Sequence, residues 1–299
     1  MDGVSTFDDL VNDVLQTLYG YGLSQPRAAF LTAAITASDL SLAVGDATGF
    51  EQGVAEIGNE TIFIESVDYG SGVLTVSPDG RGYGGSTAAT HAQDSRVTMA
   101  PVWSRQRTAT AINEAILGTY PTLFGIATTT FVYNPSVNTY GLPTGAERIL
   151  RVTADTIGSS REQLTINRYS FNSTANGNFA TGNSITLEQG AFPGRNVNVT
   201  YTTAPVGITW GNAFTLSGLA ETAKLAVKYG ACSNLISFMD SARLPVGTAQ
   251  ADELDPSHAG IGTASKASAQ LYQRYQLELE TERKRLRAAT PATISVRTR

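Results

Sequence analysis

One cysteine, two histidines and a thin supply of charge set the first limits on this 299-residue chain. With Cys232 alone no intramolecular disulfide can form, and its apolar helical surroundings predict a buried, inert thiol. His91 and His258 stand far apart, each without Cys or His at ligand spacing, so a zinc ribbon or zinc hydrolase has no ligand set. No apolar run approaches the ~20 residues that span a bilayer. A start carrying Asp2, Asp8 and Asp9 does not read as a secretory leader. Synthesis in a reducing cytoplasm and no membrane contact are therefore expected. The chain has neither a G-x-x-x-x-G-K-(S/T) phosphate loop nor a G-x-S-x-G nucleophile elbow. Charged residues make up 16%, below the ~25% usual in soluble domains. The net charge of -5 leaves no basic stripe for tight nucleic-acid binding.

What is present points to strands. Hydrophobic residues reach 41%, enough for a core, and Thr, Ser, Asn and Gly replace the missing charge. That is the composition of a β-rich surface covered by neighbours. Residues 1–34 read as an N-terminal helical segment, with Ser5 or Thr6 capping Phe7 to Leu18 and a second helix or turn after Pro26. Residues 35–102 alternate apolar and polar in short runs and predict a small antiparallel barrel-like module. Residues 103–127 carry a central helix with Ala109, Ile112, Ile116 and Leu117 expected on one apolar face. Residues 128–212 form a second β-rich module, in which Val197, Val199 and Tyr201 alternate most cleanly. Residues 213–289 return to helix, the first expected to be capped by Ser217. Leu271, Tyr275, Leu279 and Leu286 lie on one stripe of the last helix, and Glu280 stands four residues before Lys284. Residues 290–299 form an extended tail.

The stretch Val54–Phe124 holds these parts together. Glu56 to Val67 reads E-I-G-N-E-T-I-F-I-E-S-V, Arg81 to Ala92 reads R-G-Y-G-G-S-T-A-A-T-H-A, and Ile112 to Phe124 carries I-N-E-A-I and Y-P-T-L-F. This succession resembles the head-to-tail adaptor, or neck, proteins of tailed bacteriophages, over about a quarter of the chain. The resemblance implies an α+β fold: a helical adaptor core formed by N-terminal, central and C-terminal helices, with two inserted antiparallel β-rich modules. It implies a dodecameric ring of this chain in the virion neck, docked beneath the portal protein. A downstream neck or tail protein, or fibres, would follow, and DNA would pass through the bore without sequence-specific binding. Simple adaptors are shorter and mostly helical, so residues 128–205 leave room for holding fibres or an outer collar.

Gly80 to Gly85 formally satisfies G-x-G-x-x-G, but the flanking pattern lacks the βαβ frame of a dinucleotide site. Arg81, Gly82, Tyr83, Gly84 and His91 are instead expected to build a structural loop. The two glycines would take positive φ, Tyr83 would lie across the β-module, and His91 would bond to backbone. Glu56, Glu60 and Glu65 on neighbouring strands could converge as in a glycosidase; solvent-facing strand charges are the simpler reading. Trp103 would anchor the strand-to-helix joint, with Arg105 and Arg107 reaching a neighbour's carboxylates. The basic run Arg283, Lys284, Arg285 and Arg287, with Arg297 and Arg299, suits a peg docking into an acidic portal cleft, where Leu271, Tyr275 and Leu279 would also bury. No catalytic residue, cofactor or metal is assigned. The rival reading is a receptor-binding β-module of a tail fibre or hub, whose signature would be exposed aromatics among Tyr133, Tyr140, Tyr169 and Phe171.

Overall fold

The structure, a computed structural model, describes residues 5–20, 26–157, 163–175, 177, 179–242 and 263–290. His258, the loop after Leu244-Pro245, and the tail with Arg297 and Arg299 lie outside the described residues. The chain divides into two compact units, each built from separate stretches.

The first unit comprises residues 8–112 and 228–272. Helix α1 (Phe7–Tyr19) leads into β1 (Ala28–Phe30), β2 (Ser41–Ala43), β3 (Gly53–Ile57), β4 (Glu60–Asp68), β5 (Val73–Val76) and β6 (Arg96–Met99). These strands pair antiparallel in the order β1-β6-β3-β4-β5-β2. The β3–β4 turn is Gly58-Asn59, with Gly58 at φ 57. A register shift between Ile64 and Ser66 bends β4, as a bulge does. The sheet curls until its edges meet. Leu31 bridges Val44, Thr32 N–H donates to Ala43 O at 2.9 Å, and Gly45 N–H donates to Phe30 O at 3.0 Å. Inside lie Leu42, Ile57, Ile62, Ile64 and Leu74, all fully buried, each worth about 1.5–3 kcal/mol of hydrophobic stabilisation.

The second unit comprises residues 1–7, 113–227 and 273–299. Helix α2 (Arg105–Gly118) contributes its second half, followed by β7 (Gly125–Val132), β8 (Thr139–Leu142), β9 (Arg148–Asp155), β10 (Gln163–Thr165), β11 (Tyr169–Asn172), β12 (Asn183–Leu187) and β13 (Asn196–Thr203). They form two sheets, β10-β9-β13-β7 and β11-β12-β8. Both line one core, with Val152, Val197 and Val199 from the first sheet and Leu142, Ile185 and Leu187 from the second. Asn183 fixes the start of β12. Its amide donates to the carbonyls of Pro143, Thr144 and Ala146 at 3.0, 3.0 and 2.9 Å. Helices α3 (Lys224–Ala242) and α4 (Thr263–Ala289) complete the described chain and, like α2, give residues to both units.

This overturns the expected helical core with inserted β-modules. Among the described residues there are thirteen strands in three sheets and only four α-helices. The two large strand-built clusters of buried side chains come from these sheets. The physical reason is where the apolar alternation lies: Val, Ile, Thr and aromatic residues at period two fill both β-regions, and each sheet buries its own apolar face. Local readings changed with it. Ala28–Phe30, expected as helix or turn, is a strand because β6 offers it a partner. Ser217 does not cap a long helix; its Oγ accepts from Leu219 N at 3.2 Å within a short turn, and α3 starts only at Lys224.

Candidate functional site

Glu60 begins β4 directly after the Gly58-Asn59 turn, and it is 1% exposed. Its carboxylate collects donors from residues far along the chain. Oε1 accepts from Arg81 Nε at 2.6 Å and from Gly82 N at 3.1 Å. Oε2 accepts from Arg81 Nη2 at 3.0 Å and from Ala89 N at 3.1 Å, and lies 2.7 Å from His91 Nε2. Arg81 in turn spends every donor of its fork. Nη1 reaches the carbonyls of Thr36 and Asp39 at 2.7 Å each, and Nη2 also reaches Ala89 O at 2.8 Å. Burial alone would raise the Glu60 pKa, but the hydrogen bonds from Arg81, His91, Ala89 and Gly82 outweigh it and hold the carboxyl below its ordinary value. The cluster is a saturated clasp that ties β4 to the glycine loop and to the segment before β2.

The loop residues take the places this clasp demands. Gly82 and Gly84 sit at φ 62 and 65. A Cβ on Gly82 would come within 3.0 Å of Ala88 N and 3.1 Å of Ser86 O, whereas one on Gly84 meets nothing within 4 Å. Tyr83 lies against Phe63 with ring centroids 5.4 Å apart. The His91 ring reaches Glu60 rather than the loop backbone; it is the His91 main chain that pairs, with Ile35. Both glycine substitutions carry the positive-φ penalty of roughly 1 kcal/mol. Gly82→Ala should therefore lower the thermal midpoint more than Gly84→Ala, since only Gly82 adds a close approach. Equal midpoints in a melting experiment would show that the approach at Gly82 relaxes freely.

The three carboxylates considered for glycoside chemistry do not act together. Glu65 is exposed, Glu60 is consumed by the clasp, and Glu56 is turned to the start of α2. Glu56, on β3 and 6% exposed, accepts from Arg105 N at 3.0 and 3.2 Å through its two oxygens. Burial pushes its pKa up to about 7, against the pull of the Arg105 N–H and guanidinium. Arg105 does not extend to a neighbouring molecule as expected. Its Nε donates to Asn59 at 2.8 Å, its Nη1 to Asn12 at 2.6 Å, and its Nη2 lies 3.9 Å from Asp8. Trp103 is buried at the joint. Among the described residues no three His, Cys, Asp or Glu side chains gather as a metal site, and no helix is long and apolar enough to cross a membrane.

The docking stripe on α4 is divided. Leu271 is completely buried, which removes it from any outer docking surface, while Tyr275 and Leu279 are half-buried. Arg283 pairs with Glu280 at 3.2 Å, the carboxylate expected to meet Lys284. Arg285 pairs with Glu282 at 2.6 Å, and Glu282 also accepts from Thr222 Oγ1 at 2.6 Å. Lys284, Arg285 and Arg287 remain on the surface. The aromatics Tyr133, Tyr140, Tyr169 and Phe171 pack against the sandwich core, and Phe131 stacks on Tyr140 at 4.1 Å. Sequence reasoning singled out the residues of the clasp but missed its centre. From sequence Glu60 reads as a possible acid or a solvent-facing strand charge, and its burial contradicts the second reading; the local signal is an acidic residue directly after the Gly58-Asn59 turn. No protein-family model and no curated protein matches the sequence.

Proposed function

We propose that this chain is a non-enzymatic structural protein of a bacteriophage virion, a head-to-tail adaptor whose copies form a ring beneath the portal and leave a conduit for DNA. The resemblance of the Val54–Phe124 stretch motivates the reading. The observation that carries it is the clasp: Glu60, Arg81, Gly82 and His91, the polar heart of the resembling phrase, are wholly engaged in holding a β-barrel together. Such a constellation serves a scaffold, because the Glu60 carboxylate and the Arg81 guanidinium spend their hydrogen bonds within it and leave none for a substrate. The fibre or hub alternative loses its main support, since the aromatics that would form its binding face pack against a core.

On this reading the exposed cations of α4 meet the portal, where charge complementarity sets docking specificity. Lys284→Glu with Arg287→Glu changes two exposed side chains and leaves the Arg283 and Arg285 pairs in place. The variant should fold with a wild-type melting curve, while purified DNA-filled heads lack both this protein and tails. Normal copy number on heads would remove α4 from the docking surface. Tails that carry the protein before any head is present would replace the adaptor reading with the tail one.

A further inference from the structure

Among the described residues the sheet edges are short, with one exception. β1, β2 and β10 have three residues each and β8 and β11 have four, while β7, an edge of the β10-β9-β13-β7 sheet, has eight. The usual guards of an exposed edge are missing from it. Gly125–Val132 reads G-I-A-T-T-T-F-V, without charge or proline, and pairs with β13 in unbroken register. Among the described residues no other strand pairs with it.

The direction of its free backbone groups follows from its neighbour. Tyr133 N donates to Arg195 O at 2.8 Å and Tyr133 O accepts from Gly194 N at 2.9 Å, so Tyr133 bonds toward β13. Alternation then turns the odd residues of β7 inward and aims the N–H and C=O groups of Ile126, Thr128, Thr130 and Val132 away from the sheet. The other side of β13 agrees: Ile166 N bonds Val152 O, which leaves Arg151 and Thr153 to bond the even residues of β13. The side chains of Ile126, Thr128, Thr130 and Val132 share the solvent face, where Ile126 is 45% and Val132 58% exposed.

From this geometry we infer that β7 pairs antiparallel with β7 of a second copy of this chain, about a two-fold axis at Thr129. In that register Ile126 stands opposite Val132 of the second copy and Thr128 opposite its Thr130. The two exposed apolar side chains of each edge thereby cover those of the other. The same faces stay together, and all outward N–H and C=O groups close a ladder of about eight hydrogen bonds. Moving the axis by one residue leaves either Ile126 or Val132 without a partner, so the register is specified by the sequence. The pairing goes beyond the adaptor reading. A neck ring has different partners above and below, which a two-fold contact between its subunits would violate. The pair is therefore the form of the free subunit, and assembly has to open it.

Sedimentation of the full chain over a dilution series tests this. Wild type should run as two copies that separate on dilution. Thr128→Lys with Thr130→Lys places like charges opposite each other twice and should weaken pairing by about tenfold or more. Thr128→Lys with Thr130→Glu sets opposite charges across the axis and should restore it. Both variants lie on a solvent face and give up the same two cross-strand side-chain bonds, Thr128 with Thr200 and Thr130 with Asn198, so they should melt alike and close to wild type. If the Lys/Lys variant melts early, the Thr128→Lys/Thr130→Glu variant alone decides, pairing as expected or staying single and overturning the register. Single copies at every concentration, a closed ring of free wild type, or undiminished pairing of a folded Lys/Lys variant each overturn the inference. A ring of free wild type would do so while leaving the adaptor reading intact.

Discussion

Arg81→Met should lower stability by about 3–5 kcal/mol, the range seen when one partner of a buried ion pair is deleted. The loss has two parts. Glu60 keeps only its backbone donors and His91, and the carbonyls of Thr36, Asp39 and Ala89 lose the guanidinium that joined them. Methionine preserves most of the stem volume, so the measurement reads the polar head. A double-mutant cycle with Glu60→Gln should show coupling: the double variant costs less than the sum of the two singles, because each single already breaks the same unit. Urea unfolding monitored on the barrel unit is the appropriate readout. An Arg81→Met chain with the wild-type midpoint would reduce the clasp to a spectator.

The pH dependence of stability should be set by two carboxylates working in opposite directions. Glu56 has a folded pKa of about 7, raised by burial, above the ~4.3 of an unfolded glutamate. Folding is then favoured by its protonation. Its contribution is complete below the unfolded value and lost as pH rises through about 7. Between pH 5 and pH 8 that loss amounts to about 2–3 kcal/mol. Glu60 is lowered, so its contribution is present above the unfolded value and falls away as pH drops through the folded one. Stability should peak in mildly acidic solution. Glu56→Gln, which can still accept from Arg105 N, should flatten the decline from pH 5 to pH 8 and leave the acid limb unchanged. A decline as steep as that of wild type would place the responsible group elsewhere.

The strands of both β-regions were legible in outline because period-two alternation is a local property. Val197, Val199 and Tyr201 mark the buried face of β13, and Gly58-Asn59 marks the β3–β4 hairpin by residue type alone. What was not legible is where sequence-distant groups meet. Glu60 lies 21 residues from Arg81 and 31 from His91, and nothing in either local pattern names the other as its partner. The curled closure was equally hidden, since β1 and β2 are three-residue segments whose identity comes from the strands beside them. The error over the core has the same origin. Terminal helices announce themselves by capping residues and apolar stripes, whereas a sheet assembled from short strands reveals its share of the interior only after pairing. On α4 the i,i+4 rule named the right carboxylate, Glu280, and the wrong cation, because Arg283 at i+3 reaches it.

Cys232 gives the chain an internal clock for local opening. The thiol is fully buried, its Sγ lies 3.9 Å from Val14 O, and burial pushes its pKa up to about 12. Both conditions silence it toward thiol reagents, which need an accessible thiolate. Labelling must wait for an opening that exposes α3 at Cys232, and parting from α1, which also bares Val14, is one such opening. Because no second thiol competes, the labelling rate reports exposure of this one position. The residue with the least chemistry in the native state is thus the one through which its fluctuations can be timed.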